Sequence, residues 1–157
     1  MEFELTQDVA APPEVVWDVL TDVDGGPRFL SSLKAVRWLS EPGYEVGSRW
    51  VETRLHRGRE MEMELSVEAA ERPERVTVVS PMYGMRHEAD ITVTPLEGGA
   101  GGSRIRQAFT VTPGPGQGRL KAAVLTTLMM IGTKQAKAMM EQDLADIAVE
   151  AERRARD

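Results

Sequence analysis

The stretch Arg119–Arg156, RLKAAVLTTLMMIGTKQAKAMMEQDLADIAVEAERRAR, decides how the rest of the chain is read. It has no proline and one internal glycine, Gly132, and it is dominated by Ala, Leu, Met, Glu, Lys and Arg, the strong helix formers. Leu120, Val124, Leu128, Ile131, Gln135, Ala138 and Met139 recur at three- and four-residue spacing, which predicts one shared helical face. Leu125, Met129, Ala136, Met140 and Ile147 widen that face beyond the stripe of an ordinary surface helix. Such a helix needs a large concave partner. Nearly everything upstream reads as strand, so the expected partner is a curved sheet.

Upstream, Phe3, Leu5, Gln7 and Val9 alternate with Glu4, Thr6 and Asp8, the pattern of a half-buried first strand. Pro12-Pro13 ends it and suits a helix start, where a missing N–H costs nothing. Val15, Val16, Trp17, Val19 and Leu20 fit a short amphipathic helix, and Asp22-Val23-Asp24-Gly25-Gly26-Pro27 breaks it before a second helix or turn at Arg28-Phe29-Leu30. From Leu33 the period becomes two. Strands are expected around Val36 and Trp38, from about Val46 to His56, from about Glu60 to Ala70, over Arg75 to Val79 with an interruption at Ser80-Pro81, over Tyr83 to Pro95, and around Ile105 to Val111. Met61, Met63, Leu65 and Val67 alternate with Glu62, Glu64, Ser66 and Glu68, so one sheet face is dry and the other wet. The acidic run Glu60, Glu62, Glu64, Glu68 reads as that solvated face. The glycine-rich run 97–102 joins two strands with no helix behind it, so it is a hairpin connection and not a phosphate loop. Pro113-Gly114-Pro115-Gly116-Gln117-Gly118 releases the long helix.

The local text carries a family resemblance. Residues 9–22, VAAPPEVVWDVLTD, look like the "apxevVWdvltD" opening of the START and pollen-allergen-like superfamily, also called SRPBCC. Pro27-Arg28-Phe29-Leu30 looks like its "yPrwl" segment, Val46-Gly47-Ser48-Arg49-Trp50 like its "vGtrw" strand start, and Glu71 to Val76 like its "dpPerl" turn. The resemblance covers essentially residues 1–157 as a single ligand-binding domain and is closest to members labelled polyketide cyclase/dehydrase-like. It implies an α+β helix-grip fold: a curved antiparallel sheet of about seven strands around the C-terminal helix, with two short helices between strands 1 and 2. It also implies a cavity between sheet and helix. The family's motifs are structural, its members include lipid and hormone carriers and aromatic polyketide cyclases, and it names no ligand.

On that fold, the expected ligand-binding wall is Trp50, Met61, Met63, Met85, His87, Gln107 and Phe109 from the strands with Leu128, Ile131 and Gln135 from the helix. The methionines at 61, 63, 82, 85, 129, 130, 139 and 140 would suit a bulky apolar ligand, although core filling is their commoner use. Candidate catalytic groups are Glu52, Arg54, His87 and Tyr83. His87 lies between Met85 and Ala89 on a mostly apolar face, where imidazole can move a proton near neutrality or simply satisfy a neighbour. Glu52 and Arg54 depend on register. A Gly58-Arg59 type II′ turn would pair Arg54 with Met63 and Glu52 with Leu65 and turn Trp50, Glu52, Arg54 and His56 inward. A three-residue loop pairing His56 with Glu60 would instead turn Val51, Thr53 and Leu55 inward. The first is preferred because it buries Trp50; the second has the better charge pairing.

Composition excludes several classes. With no cysteine and two histidines, neither disulfides nor a structural zinc site is expected, and no metal or cofactor signature appears. A formal net charge of −6 speaks against nucleic acid. No signal peptide or membrane span is expected, so the reading is cytoplasmic. The serines at 31, 32, 48, 66, 80 and 103 fall in no nucleophile elbow. Met130, off the main stripe, points to a contact with the short helices or with a second chain, as in a homodimer. Two functions stand: binding of a small hydrophobic or polycyclic molecule, and a polyketide cyclase/aromatase-like enzyme acting on a poly-keto intermediate.

Overall fold

The computed structural model describes residues 1–98, 101–116 and 118–157, and for residues 122 and 125–132 the backbone alone. Seven antiparallel strands are present: β1 (Glu2–Val9), β2 (Leu33–Trp38), β3 (Arg49–His56), β4 (Arg59–Glu71), β5 (Arg75–Met82), β6 (Met85–Pro95) and β7 (Ser103–Pro113). Their order in the sheet is β1-β7-β6-β5-β4-β3-β2. Because β1 and β2 are the two edges, the chain between them must cross the whole sheet. It does so through α1 (Pro13–Leu20) and α2 (Gly26–Phe29), which bridge the edges and close one end of the concave face. The terminal helix α3 (Arg119–Arg156) has 38 residues, a span of about 57 Å at 1.5 Å per residue. This is the helix-grip arrangement expected from the sequence.

Each helix starts as its sequence dictates. Pro12 is the N-cap of α1 and Pro13 sits in its first turn, so the ring costs no hydrogen bond. The apolar face of α1, Val16, Trp17 and Val19, is buried. Around it lies the main core, with Leu5, Val9, Val67, Val76, Val93 and Ile105 from the sheet and Leu144, Ile147, Ala148 and Ala151 from α3. The C-terminal half of α3 is therefore the part that grips. Asp22 and Arg154 form an ion pair at 2.8 Å, and Glu152 accepts from the Ala10 backbone N–H at 3.0 Å, tying that half to α1 and β1. In the other half, Leu120 and Val124 are exposed rather than packed, contrary to the expected continuous stripe. Periodicity reports which residues share a face, not whether a partner reaches that far along the helix. The stripe residues Leu125, Leu128, Met129 and Ile131 and the contact suspected at Met130 lie outside the described residues.

The wet face of the sheet is laced by cross-strand ion pairs, including Arg49–Glu64, Arg86–Glu68, Arg104–Asp8 and Lys34–Glu60. Pairs this exposed are worth roughly 0–1 kcal/mol each and serve mainly register and solubility. The acidic alternation in β4 is this face.

Two features differ from expectation. The β3–β4 hairpin adopts neither expected register: His56 pairs with Arg59, Arg54 with Met61 and Glu52 with Met63. Arg57 and Gly58 occupy the loop with φ of 50° and 75°, the signature of a type I′ turn, whose twist matches that of the flanking strands. The register is two residues from the preferred one. Side chains alternate with period two, so the inward set Trp50, Glu52, Arg54 and His56 is unchanged. Secondly, β5 does not stop at Val79 but runs through Ser80-Pro81 to Met82. Its pairing with β4 ends at Ser66↔Val79, whereas its pairing with β6 continues to Met82↔Met85. Pro81 lies where β5 pairs only with β6, so its missing N–H breaks no ladder bond.

Candidate functional site

The concave face of β3–β7 and one side of α3 enclose a cavity of about 600 Å³. Its floor is Met61, Met63 and Leu65 from β4, Val78, Ser80 and Met82 from β5, His87 and Ala89 from β6, and Gln107 and Phe109 from β7. The helix side contributes Thr133, Gln135, Ala136, Met139, Met140 and Asp143. The parting of β4 from β5 beyond Val79 is what exposes Ser80 and Met82 to this space.

At the inner end, three charged side chains meet. Arg54 on β3 donates through Nε to Glu52 Oε2 at 2.8 Å and through Nη1 to Asp143 Oδ1 and Oδ2 at 2.9 and 2.8 Å. Nη1 also donates to Ser32 Oγ at 2.8 Å, just after α2. Glu52 Oε1 accepts from the indole of Trp50 at 3.2 Å. Arg54 and Glu52 are buried, which a guanidinium tolerates only when it is paired and hydrogen-bonded on several sides. Two carboxylates compete for this one cation. Burial pushes the Asp143 carboxyl above its usual range and nearby Glu52 adds to the effect, against the downward pull of Arg54. The cluster is an internally bonded site that can take up a proton.

A smaller cavity of about 140 Å³ lies on the far side of the same cluster, under α1 and α2. It is lined by Val19, Phe29, Leu33, Tyr44 and Trp50 among others, and it shares Glu52, Arg54, Asp143 and Gln107 with the larger one. Trp50 packs here against Tyr44 and Trp38, with ring centroids 5.5 and 5.7 Å away. Burial raises the Tyr44 phenol, with Glu52 adding to it.

The remaining inward residues fall into three situations. Met61, Met63, Gln107 and Phe109 line the large cavity, and Gln107 Nε2 lies 3.7 Å from Met140 Sδ. Met85 is buried with Phe109 and Val111 and is not among the residues that line the cavity, although Met82, its partner in the last β5–β6 pair, is. At the mouth, the Gln135 amide bridges α3 to the β3–β4 hairpin: its nitrogen donates to His56 Nε2 at 3.2 Å and its oxygen accepts from Arg57 at 3.1 Å. Tyr83 occupies the β5–β6 turn with φ of 54°, and although it borders the cavity it is 72% exposed, at the rim. Leu128 and Ile131 lie outside the described residues.

His87 is buried between β5 and β7. Burial lowers its pKa below the ordinary value, partly offset by the Ser80 backbone, so the ring is neutral near pH 7. Its Nδ1 has no hydrogen-bond partner among the described residues, and neither does the buried Oγ of Ser80, the residue directly opposite it in the ladder.

The sequence reading missed Asp143 and Ser80. Asp143 carried a signal: it shares the spacing of Ala136, Met140 and Ile147, and an acid on an apolar helical stripe implies an inward cation. Ser80 was hidden by the proline beside it. Among the described residues no group of three or more His, Asp or Glu side chains could hold a metal ion, and no helix is long and apolar enough to cross a membrane.

Residues 1–152 match the family model described as polyketide cyclase/dehydrase and lipid transport. The chain belongs to this family. No curated protein matches it. Among solved structures, the polyketide cyclase/dehydrase chain is similar to the di-domain aromatase/cyclase StfQ of the steffimycin biosynthetic pathway, with a TM-score of 0.76 at 14% identity over 99% of this chain and 52% of that one. It is also similar to the Zhui aromatase/cyclase from Streptomyces sp. R1128, with a TM-score of 0.73 at 18% identity over 98% and 94% of the two chains. Ara h 8.0201 aligns with a TM-score of 0.65 at 12% identity over 94% and 97%. At these identities the likeness is one of fold.

Proposed function

We propose that the protein binds a bulky, largely apolar small molecule in the cavity between the sheet and α3. The observation that carries this reading is the cavity itself: its volume of about 600 Å³ falls within the range of about 300–1,000 Å³ typical of ligand sites. Its walls support the same reading. Six methionines, Met1, Met61, Met63, Met82, Met139 and Met140, offer flexible, polarisable surface that can follow a ligand's shape, and most of the wall's surface is apolar. Retention of a small molecule by protein purified from its own host, read by native mass spectrometry, tests the proposal. The expected result is a bound mass on the wild-type protein that is absent from Ala136→Trp, in which the indole fills the cavity from the helix side. A wild-type protein that carries no adduct and binds no polycyclic probe would overturn it.

One observation favours cyclase-like catalysis as a second reading. The Glu52–Arg54–Asp143 cluster places a guanidinium and a carboxyl of raised pKa at the cavity's inner end, where they could stabilise an enolate and supply or accept a proton. His87 would be a second, neutral proton carrier, and Tyr83 would act only at the rim. The fold shared with two aromatase/cyclases supports a poly-keto substrate for this reading.

A further inference from the structure

We propose that the first half of α3, with the β3–β4 turn beside it, docks on an anionic lipid bilayer. The starting observation is the row that helical spacing assigns to one face of that half. Among its described members, Leu120 and Val124 are 82% and 54% exposed and Ala138 is exposed too, and none of the three lines the cavity. Scattered apolar side chains on a surface need no explanation by themselves. The charge around these ones does.

No Asp or Glu occurs between Gly98 and Met140, although the chain as a whole has a net charge of −6. Within that stretch α3 carries Arg119, Lys121, Lys134 and Lys137, all exposed, and the β3–β4 turn adds exposed Arg57 and Arg59. The Gln135 amide holds that turn to α3 through His56 and Arg57. None of the six bases meets a carboxylate among the described residues. Bases elsewhere are mostly answered: Arg49, Arg86, Arg104 and Arg106 on the sheet, and Arg153 and Arg154 on the gripped half of α3, each form an ion pair. An exposed apolar row flanked by unpaired Lys and Arg is the pattern of a helix lying in the plane of an anionic bilayer. Tyr83 extends the surface. Its turn is set beside the linker into α3 by the Gly114 N–H, which donates to the Gly84 carbonyl at 2.9 Å, and an exposed tyrosine suits the headgroup level. A second copy fits less well, because a twofold contact would set the same six bases against themselves. A soluble polyanion would answer the bases and leave Leu120 and Val124 in water. Docking here brings the cavity's mouth to the acyl layer; only that consequence rests on the binding role above.

Because the chain has no cysteine, an introduced one carries a single label. The test places an environment-sensitive fluorophore at Leu120→Cys in the full chain and, as a control, at Val149→Cys, which is 67% exposed on the gripped half of α3 beside Glu150. Vesicles of phosphatidylcholine with phosphatidylglycerol should shift the emission to the blue at position 120 and not at 149, and phosphatidylcholine alone should shift neither. The unlabelled wild-type chain should co-sediment about tenfold more strongly with the anionic vesicles, a preference that Lys134→Gln with Lys137→Gln reduces by about tenfold. The Tm of that double variant should be unchanged, since both side chains are exposed. No co-sedimentation, equal binding to both vesicle types, or a shift at both labelled positions would overturn the proposal. An equal shift at position 120 with polyglutamate would assign an acidic protein, and a shift with rising protein concentration alone would assign a second copy; either overturns the bilayer. Every one of these outcomes leaves the ligand-binding role intact.

Discussion

Arg54 joins three parts of the molecule through one side chain: Glu52 on its own strand, Ser32 after α2 and Asp143 on α3. Its guanidinium is buried, so the pair's attraction is offset by the cost of removing charges from water, and the net stabilisation is small. Taking away one partner is another matter, because the charges left behind stay buried. Arg54→Leu should cost about 3–5 kcal/mol at pH 7, measured by urea unfolding. The pH dependence identifies the cause. Asp143 already has a raised pKa, and without Arg54 the pull that opposes burial is gone. A carboxyl whose folded pKa lies above its unfolded value stabilises the fold below the unfolded value and loses that contribution as pH rises through the folded one. The deficit of Arg54→Leu should therefore shrink from pH 7 toward pH 4.5; an equal deficit at both would mean that packing, not charge, is what Arg54 supplies. Asp143 was legible in principle as an acid on an apolar stripe, but a stripe does not show which residue across the fold answers it.

At the scale of elements, the β3–β4 hairpin shows how a turn can differ from expectation without changing a site. Gly58 marks the turn, but φ is positive at Arg57 as well, so the turn is I′ and not II′. A non-glycine residue in the left-handed region costs about 1–2 kcal/mol relative to one that accepts it, and Asn-Gly is the preferred I′ pair. Arg57→Asn should accordingly stabilise the protein by about 1 kcal/mol, or about 2–4 °C in Tm by calorimetry. A drop in stability would instead show that the contact between Arg57 and Gln135 outweighs the backbone strain. The face of β3 hung on the length of that loop, since a three-residue loop would have reversed the parity; the two-residue turn is what buries Trp50. The length of β5 was not legible, because Pro81 ends a strand in isolation. Only the divergence of β4 makes its position harmless.

For the whole molecule, the decisive arrangement is that α3 grips with its C-terminal half and spans a cavity with the section before it. Leu144, Ile147, Ala148 and Ala151 are buried against α1 and β1, whereas Ala136, Met139 and Met140 face space. On the proposed binding role, stability and binding are carried by successive turns of one helix and should be separable. A ligand at a hundredfold excess over its Kd adds about 2.7 kcal/mol to the folded state. A thermal-shift series with 2-naphthol should raise the Tm of the wild-type protein and leave that of Ala136→Trp unmoved, with the variant's own Tm equal to or above the wild-type value. A variant that is destabilised and still responds would place the ligand elsewhere.

Whereas the parity of β3 waited on the hairpin register, the order of strands and helices, the inward parity of β4, β6 and β7 and the family were determined by the sequence by itself. These rest on local physics: alternation with period two, helical spacing, proline at helix starts and short motifs that any copy of the chain carries. The meeting of Arg54 with Asp143, 89 residues apart, and the pairing of Ser80 with His87 beside a proline were decided by the tertiary structure alone. Neither follows from spacing, because each depends on how a 38-residue helix and a parted pair of strands settle around an unfilled volume. That is where Arg119–Arg156 stops specifying itself: its pattern says that it must be gripped, and only the assembled fold says which half is held and what faces the other.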